Sequence, residues 1–289
     1  MRKKAVKRHT KTSRRQKRLP IDYWSHSSVV SYLRNPLAWF KRYVMKIYDT
    51  PRTPAGIVGS AAHVAMEQFY LGATKEAATE AGLVNLRSVA DFEINFGTAK
   101  TKKAKKAKRE GMEREYLQAV GYYLARPPKH KVIGVEVRGY AKVPGHRLSI
   151  KAISDLVVES TIEPGALDIV DHKFVDSFSK EQGSKALFWL QAIFNYYTVS
   201  KVYGKPVRRF IVIECKKTRN ANGKSQLRRY VIDYKDADEA FSVFHRLLKD
   251  VTYDLAHRKK FLPNPSDMFE GQDSFDVYRL GLAEEEKEV

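Results

Sequence analysis

The sequence predicts an α/β protein: a central mixed β-sheet flanked by helices, with a helical insertion. Three observations carry this. Residues 131–174 switch to the period-two alternation of strands, the segments on both sides repeat apolar residues in helical period, and two more strand-like runs return after a long helix. Strands wrapped by helices at both ends argue for one mixed domain, and no internal repeat suggests a solenoid. With 289 residues, 43% of them hydrophobic, the chain can bury a substantial core and does not read as disordered.

Residues 1–20 form a basic tail predicted to be disordered, and the globular pattern runs over 21–283. Ser27 is positioned to cap a short helix through Tyr32 and Leu33, and Asn35-Pro36 supplies a cap followed by proline at the first helical position. A second helix then carries Trp39, Phe40, Tyr43 and Val44, and Asp49 to Pro54 reads as a turn. Val58, Ala62, Ala65 and Phe69 form one stripe of a helix over 58–71. The helical insertion, about 72–128, ends at Pro127-Pro128. Strands are predicted at Lys131–Val143, Leu148–Val158 and Leu167–Phe174, with Glu163-Pro164-Gly165 turning between the last two. A helix over 180–202 presents Leu187, Leu190, Phe194 and Thr198 on one face. Strands at Phe210–Cys215 and Arg229–Tyr234 flank an Asn220-Ala221-Asn222-Gly223 turn, a helix covers Asp236–Lys259, and an acidic end occupies 284–289.

Composition excludes several classes. One cysteine, Cys215, rules out an internal disulfide and any cysteine-built zinc or iron–sulfur site; lying in an apolar run, it reads as a buried core thiol. No stretch approaches the roughly 18 apolar residues of a membrane span, and no apolar segment follows the N-terminus, which predicts a soluble, non-secreted, cytoplasmic chain. A mitochondrial matrix location is the weaker alternative, because residues 1–20 hold few apolar side chains for an amphipathic presequence.

The formal net charge of +20 calls for a polyanionic partner. Residues 1–20 carry ten basic side chains and no acid, and residues 100–109 carry seven more, so two segments hold nearly the whole excess. Solvated faces explain such runs in general. The functional reading is contact with the phosphate backbone of DNA, through Arg2, Lys3, Lys4, Arg14 and Arg15 in the tail and Lys102, Lys103, Lys105 and Lys106 in the insertion, holding DNA without reading its sequence.

The segment that carries chemistry is the hairpin around Glu163. A turn centred there sets Asp155 opposite Asp171, and facing β-carbons lie about 4.5–5.5 Å apart, where two like charges repel unless a divalent cation sits between them. Lys173 shares the strand face of Asp171, while His172 points the other way. Two carboxylates and a lysine on one patch are what phosphodiester hydrolysis asks for: oxygen ligands for Mg²⁺ or Mn²⁺, and a fixed positive charge beside the phosphate. An exposed Asp-His-Lys on a solvated strand explains the pattern equally well on the hairpin alone.

Distant segments resolve that balance. Ile150 to Phe174, containing Asp155 and Ile169-Val170-Asp171-His172-Lys173, resembles the RecB-like exonuclease branch of the PD-(D/E)XK nucleases, with their restriction-endonuclease-like core. That branch carries a G-x-x-x-H element on an upstream helix, matched by Gly59 to His63, and a glutamine on the helix after the lysine, matched by Gln191. Ser27, Pro36, Trp39 and Tyr43 fall where the branch opens with a serine-led helix, a C-P pair and aromatic residues. The resemblance spans about residues 25–200. It implies metal binding by Asp155, Asp171, the backbone carbonyl of His172 and the imidazole of His63, with Glu136 as a further ligand. Lys173 would polarise water and stabilise developing charge, and Gln191 would position the lysine or the DNA backbone.

Other readings of these residues stand beside that one. His63, next to Ala62 and Val64, reads alone as a core histidine; Gly59 and the downstream Asp…Asp-x-Lys turn the reading to a ligand. Gln191 is either a buried amide or a positioning group, and Glu67 either orients His63 or faces solvent. Departures from the family pattern are Asn35-Pro36 in place of the C-P pair, a cysteine-free Pro263–Phe269, Ala152 where glycine is frequent, and Asn195 where tyrosine is frequent. They point to the iron–sulfur-free members of phage and bacterial type and put a strand-contacting role of the helix around Gln191 in doubt. No Walker A loop occurs, so helicase activity would come from a partner, a helicase or recombination protein. The sequence thus leads to a DNA exonuclease of recombination, repair or phage DNA metabolism. An inactive nucleic-acid-binding scaffold and a site-specific endonuclease are the alternatives.

Overall fold

Six strands form one mixed sheet, and the helices that precede, interrupt and follow them cover both of its faces. The computed structural model describes residues 18–264 except 49, 180 and 221–224, with side chains in the helix after residue 180 described from Phe188 onward. Tail residues Arg2, Lys3, Lys4, Arg14 and Arg15, the side chain of Leu187, the centre of the Asn220–Gly223 turn, Pro265–Phe269 and the acidic end lie outside the described residues.

Strand β1, Tyr23–Ser25, leads into α1, His26–Arg34, and α2, Pro36–Trp39, which runs on into a π turn over Phe40–Val44. Ser25, not Ser27, is the cap of α1: its hydroxyl accepts the Ser28 N–H, which leaves Ser27 exposed in the first turn. Asn35 caps α2 as its sequence signature predicts, accepting the Ala38 N–H at 3.0 Å. Helix α3, Pro54–Tyr70, begins four residues before the predicted start, because Thr53 accepts the Gly56 N–H and Pro54 takes the first helical position. Globular packing also starts earlier, with Leu19 buried.

The insertion is α4, Lys75–Ser88, and α5, Lys102–Ala125. It packs on α3 at close quarters: a β-carbon at Gly82 would lie 2.5 Å from the Ala61 carbonyl oxygen and would collide with the Tyr116 hydroxyl. Then come β2, Val132–Ala141, β3, Ser149–Glu159, and β4, Leu167–Val175. Gly165 takes the positive φ (81°) that the tight turn between β3 and β4 needs. Helix α6, Glu181–Tyr203, crosses over to β5, Val207–Lys216, which runs parallel to β4; β6, Leu227–Asp233, and α7, Asp238–His257, complete the described elements.

One face of the sheet, with Leu156, Val158, Val170, Ile211 and Ile213, is buried under α3, α4 and α5; Cys215 lies in this core, as predicted. The other face presents Val157, Ile169, Phe210 and Val212 to Phe188, Ala192 and Val199 of α6. A third cluster joins β1, α1, α2 and α7 through Trp24, Tyr32, Trp39, Phe244 and Leu248. Polar bonds sew the same seam: Trp24 Nε1 donates to Thr252 Oγ1 at 2.9 Å, and the Tyr32 hydroxyl to Asp254 at 2.5 Å.

The edges of β3 position the site. Along one edge β2 pairs with it from Ile150 to Val158. The other edge is divided: β1 pairs in parallel with Ser149–Lys151, and β4 in antiparallel with Leu156–Glu159. Between these two partners the sheet splits at Ala152–Asp155.

Candidate active site

The hairpin register is the one the turn predicts: Leu156 faces Val170 and Val158 faces Asp168, which carries Asp155 opposite Asp171 where the ladder ends. Beyond that point the Asp155 carboxylate takes over from the missing strand, accepting the His172 backbone N–H at 2.8 Å. On the other edge, Val135 faces Leu156 and Val137 faces Ser154, so Glu136 stands across from Asp155.

Both strands change faces there. Val135 packs under α3 and α5 whereas Val137 packs under α6; Leu156 packs under α3 and α5 whereas Ser154 bonds Asn195 on α6. Residues two apart on a regular strand share a face. The reversal is taken up at Glu136, whose φ of 48° is in the left-handed region uncommon outside glycine.

Helix α3 brings His63 to this break, its buried stripe of Ile57, Val58, Ala61, Ala62 and Ala65 fixing the helix against the core. His63 Nδ1 lies 3.3 Å from Asp155 Oδ2. One ligand atom each from His63, Glu136 and Asp155 lies within 4.8 Å of the others. An imidazole and two carboxylates suit a divalent cation, and the charges say the same. Burial and the neighbouring Asp155 charge push Glu136 up to about 7. Burial opposes the charged form of His63, but the charge and hydrogen bond of Asp155, helped by Asp171, outweigh it and hold the imidazole at about 9. Burial likewise opposes the Asp155 anion, and the charges and hydrogen bonds of the His63 and His172 imidazoles overcome it, keeping Asp155 well below the usual carboxylate range.

Asp171 stands beside this group, held on the lysine side. Gln191 Nε2 donates to its Oδ1 at 2.6 Å, and Lys173 Nζ lies 2.8 Å from its Oδ2. Burial raises Asp171 above its ordinary range, with the Asp155 charge adding to the rise and the ammonium of Lys173 opposing it. Lys173, despite burial, is raised by Asp171 and Asp155 and keeps its proton.

Of the expected ligands, then, Asp155 and His63 come together with Glu136, and Asp171 forms a second group with Lys173 and Gln191. Gln191, expected to position the lysine or the DNA backbone, bonds Asp171, the partner of that lysine. His172 reaches Asp155 through its backbone N–H and also through its ring, whose Nδ1 lies 3.6 Å from Asp155 Oδ2, while its Nε2 bonds the Tyr123 hydroxyl and the ring stacks on Tyr70. Glu67 makes its presence felt at Glu136, whose pKa its charge raises slightly. The insertion lysines are on the first two turns of α5: Lys102, Lys103 and Lys106 are exposed, and Lys105 lies over the Phe96 ring at 5.4 Å.

Sequence reasoning missed three supports. Glu214 on β5, fully buried, accepts the Ser179 N–H at 2.8 Å and adds its charge to the field on Lys173. Tyr70 and Tyr123 bond each other at 2.7 Å behind His172. Asn195, noted for replacing tyrosine, accepts from Ser154 and donates to the Gln191 carbonyl, and so fastens α6 to β3. Only the acid facing Lys173 across a strand pair left a trace in the sequence, a lone glutamate in the apolar run of β5.

Sheet and hairpin define the restriction-endonuclease-like α/β class. A sequence model described as the PD-(D/E)XK nuclease superfamily matches residues 23–268, and the chain belongs to that superfamily, which places it among nucleases. No curated protein matches it. Among solved structures, a candidate exonuclease from Eubacterium rectale shares the fold, with TM-score 0.55 and 12% identity over 86% of this chain and 85% of that one. The protein SSO0001 aligns at TM-score 0.32 with 14% identity, over 78% of this chain and 82% of that one.

Proposed function

We propose that the chain is a Mg²⁺- or Mn²⁺-dependent deoxyribonuclease of the RecB-like, iron–sulfur-free branch, acting as an exonuclease in recombination, repair or phage DNA metabolism. The nuclease domain would span 21–283 with the insertion at 72–128, and a helicase or recombination protein would supply any unwinding. The observation that carries this reading is the adjacency of two groups at the split in the sheet: His63, Glu136 and Asp155 on one side, Asp171, Lys173 and Gln191 on the other.

In this reading His63, Glu136 and Asp155 hold the cation, with Asp171 and the His172 carbonyl as further ligands. When bound, the cation supplies positive charge and Lewis acidity at the scissile phosphate. The side chains do the rest. The His172 N–H fixes the rotation of the Asp155 carboxylate, and Gln191 fixes that of Asp171. Lys173, held protonated, acts as a charged hydrogen-bond donor to the phosphate and the attacking water, and not as the base that deprotonates water.

The test is incubation with end-labelled single- and double-stranded DNA and with circular DNA, in Mg²⁺, Mn²⁺ or EDTA. Shortening from an end, abolished by EDTA, is expected; nicked circles would make it an endonuclease. Lys173→Ala is expected to lower turnover by at least about a hundredfold, the usual cost of removing one donor to a developing anion, while salt-sensitive DNA binding persists. A variant that cuts like the parent would remove Lys173 from the mechanism.

A further inference from the structure

Next to Lys173, on the side where β1 and β4 part, lies a groove of about 440 Å³ with Gln191 and Asn195 among its lining residues. Its walls repeat one motif. On one wall the Arg42 guanidinium lies 5.8 Å from the Tyr43 ring and 5.7 Å from the Tyr48 ring. On the other, Lys151 Nζ lies 5.2 Å from the Tyr23 ring and 5.5 Å from that of Tyr140, which stands edge-on beside Tyr23 just outside the lining. The outer rings are not core: Tyr48 is 66% exposed and Tyr140 50%. The groove adjoins the reactive groups, since Gln191 also bonds Asp171, and the half-buried His26 on its lining feels the charge of Lys173.

Two walls that each combine a cation with exposed aromatic faces match one polymer, a nucleic acid strand whose bases are free to stack and whose phosphates need counter-charge. A duplex keeps its base faces inside the stack and offers these rings only sugar and phosphate. The volume is within the range that encloses a molecule of drug size, roughly one nucleotide. Resting on the nuclease reading for its position beside Lys173, we infer that this groove is the entry track for an unpaired DNA strand, stacking bases on Tyr48 within it and on Tyr140 at its rim while Arg42 and Lys151 hold the adjoining phosphates. The substrate this assigns to the site is single-stranded DNA or the frayed end of a duplex.

The probe is fluorescence anisotropy of the full chain in EDTA, with labelled oligothymidylate, an abasic oligomer of equal length, and a blunt duplex. The parent is expected to bind oligothymidylate tightest. Tyr48→Ala combined with Tyr140→Ala is expected to weaken that binding by roughly five- to 150-fold per stacked base lost, to leave the abasic and duplex probes nearly unchanged, and to be rescued by phenylalanine at both positions. Equal binding by parent and alanine variant, or an equal loss on all three probes, would overturn the inference. Cleavage in Mg²⁺ is read separately. A parent that cuts but binds without these rings sinks only the groove, and one that stacks bases there but never cuts sinks only the nuclease reading.

Discussion

Glu136 combines two unfavourable features, a left-handed backbone and a carboxylate buried beside Asp155. Such strain costs about 1–3 kcal/mol and persists where the surrounding structure holds it. Its pH consequence has a definite sign. The native carboxyl titrates at about 7 against an ordinary 4.5, so its contribution to stability is full below about pH 4.5 and is lost as the pH rises through about 7. His63, raised to about 9, loses its contribution in the same direction at higher pH. A divalent cation at the cluster needs both groups deprotonated. The melting-temperature gain on adding Mg²⁺, read by calorimetry, is therefore expected to grow from about pH 5 to pH 8, and Glu136→Gln to shrink it and leave only a part that appears nearer pH 9. A gain independent of pH in the parent would remove both residues from the cation site. Gly59 makes a second case. It is inside α3 one turn before His63 and on the same helix face, a β-carbon there would meet nothing within 4 Å, and glycine in a helix costs about 0.5–1 kcal/mol relative to alanine. No packing within the described residues requires it. Gly59→Ala is expected to raise stability in urea titration by about that amount and to lower cleavage; an unchanged cleavage rate would leave its glycine unexplained.

At the scale of elements, the elements that follow from local chemistry were legible. The Glu163-Pro164-Gly165 turn fixed the β3–β4 register, Asn35-Pro36 marked a helix start, and Pro127-Pro128 marked the end of the insertion. The site's outline followed, because Asp155, Asp171 and Lys173 are on that hairpin. What the pattern hid was the change of faces at Glu136 and Asp155: alternation is read over several residues, and a reversal within one residue looks like noise. For the same reason Glu136 was given only a minor place, although its carboxylate is grouped with His63 and Asp155. Tyr70, Tyr123 and Glu214 were hidden differently, since an aromatic or acid in an apolar run gives no sign of what it meets across the core. Helix α5 carries its own contradiction. Lys102 and Lys103 occupy its first turn, with no acid there to suit the positive end of the helix dipole. Lys102→Glu with Lys103→Glu is expected to stabilise the fold by about 0.3–1 kcal/mol per site at low salt, seen as a higher melting temperature, and to weaken DNA binding. Stabilisation with unchanged DNA affinity would leave these lysines as a solvated face.

For the whole molecule, the excess of positive charge belongs to two segments, and the insertion supplies one of them. Removing residues 1–17 is expected to weaken DNA binding, to lower the slope of log affinity against log salt by about 0.7–0.9 per lost phosphate contact, and to leave cation-dependent stabilisation intact. An unchanged slope would assign the tail to another partner. The seam between the first and last described elements has a different consequence. Trp24 and Tyr32, which anchor the strand and helix bearing one wall of the groove, hold on to Thr252 and Asp254, and Leu37 donates its N–H to the Leu262 carbonyl at 3.3 Å. On the ribosome, residues 63–191 emerge well before those anchors exist. A nascent chain therefore carries the side chains from His63 to Gln191 before the partners of Trp24 and Tyr32 have been made.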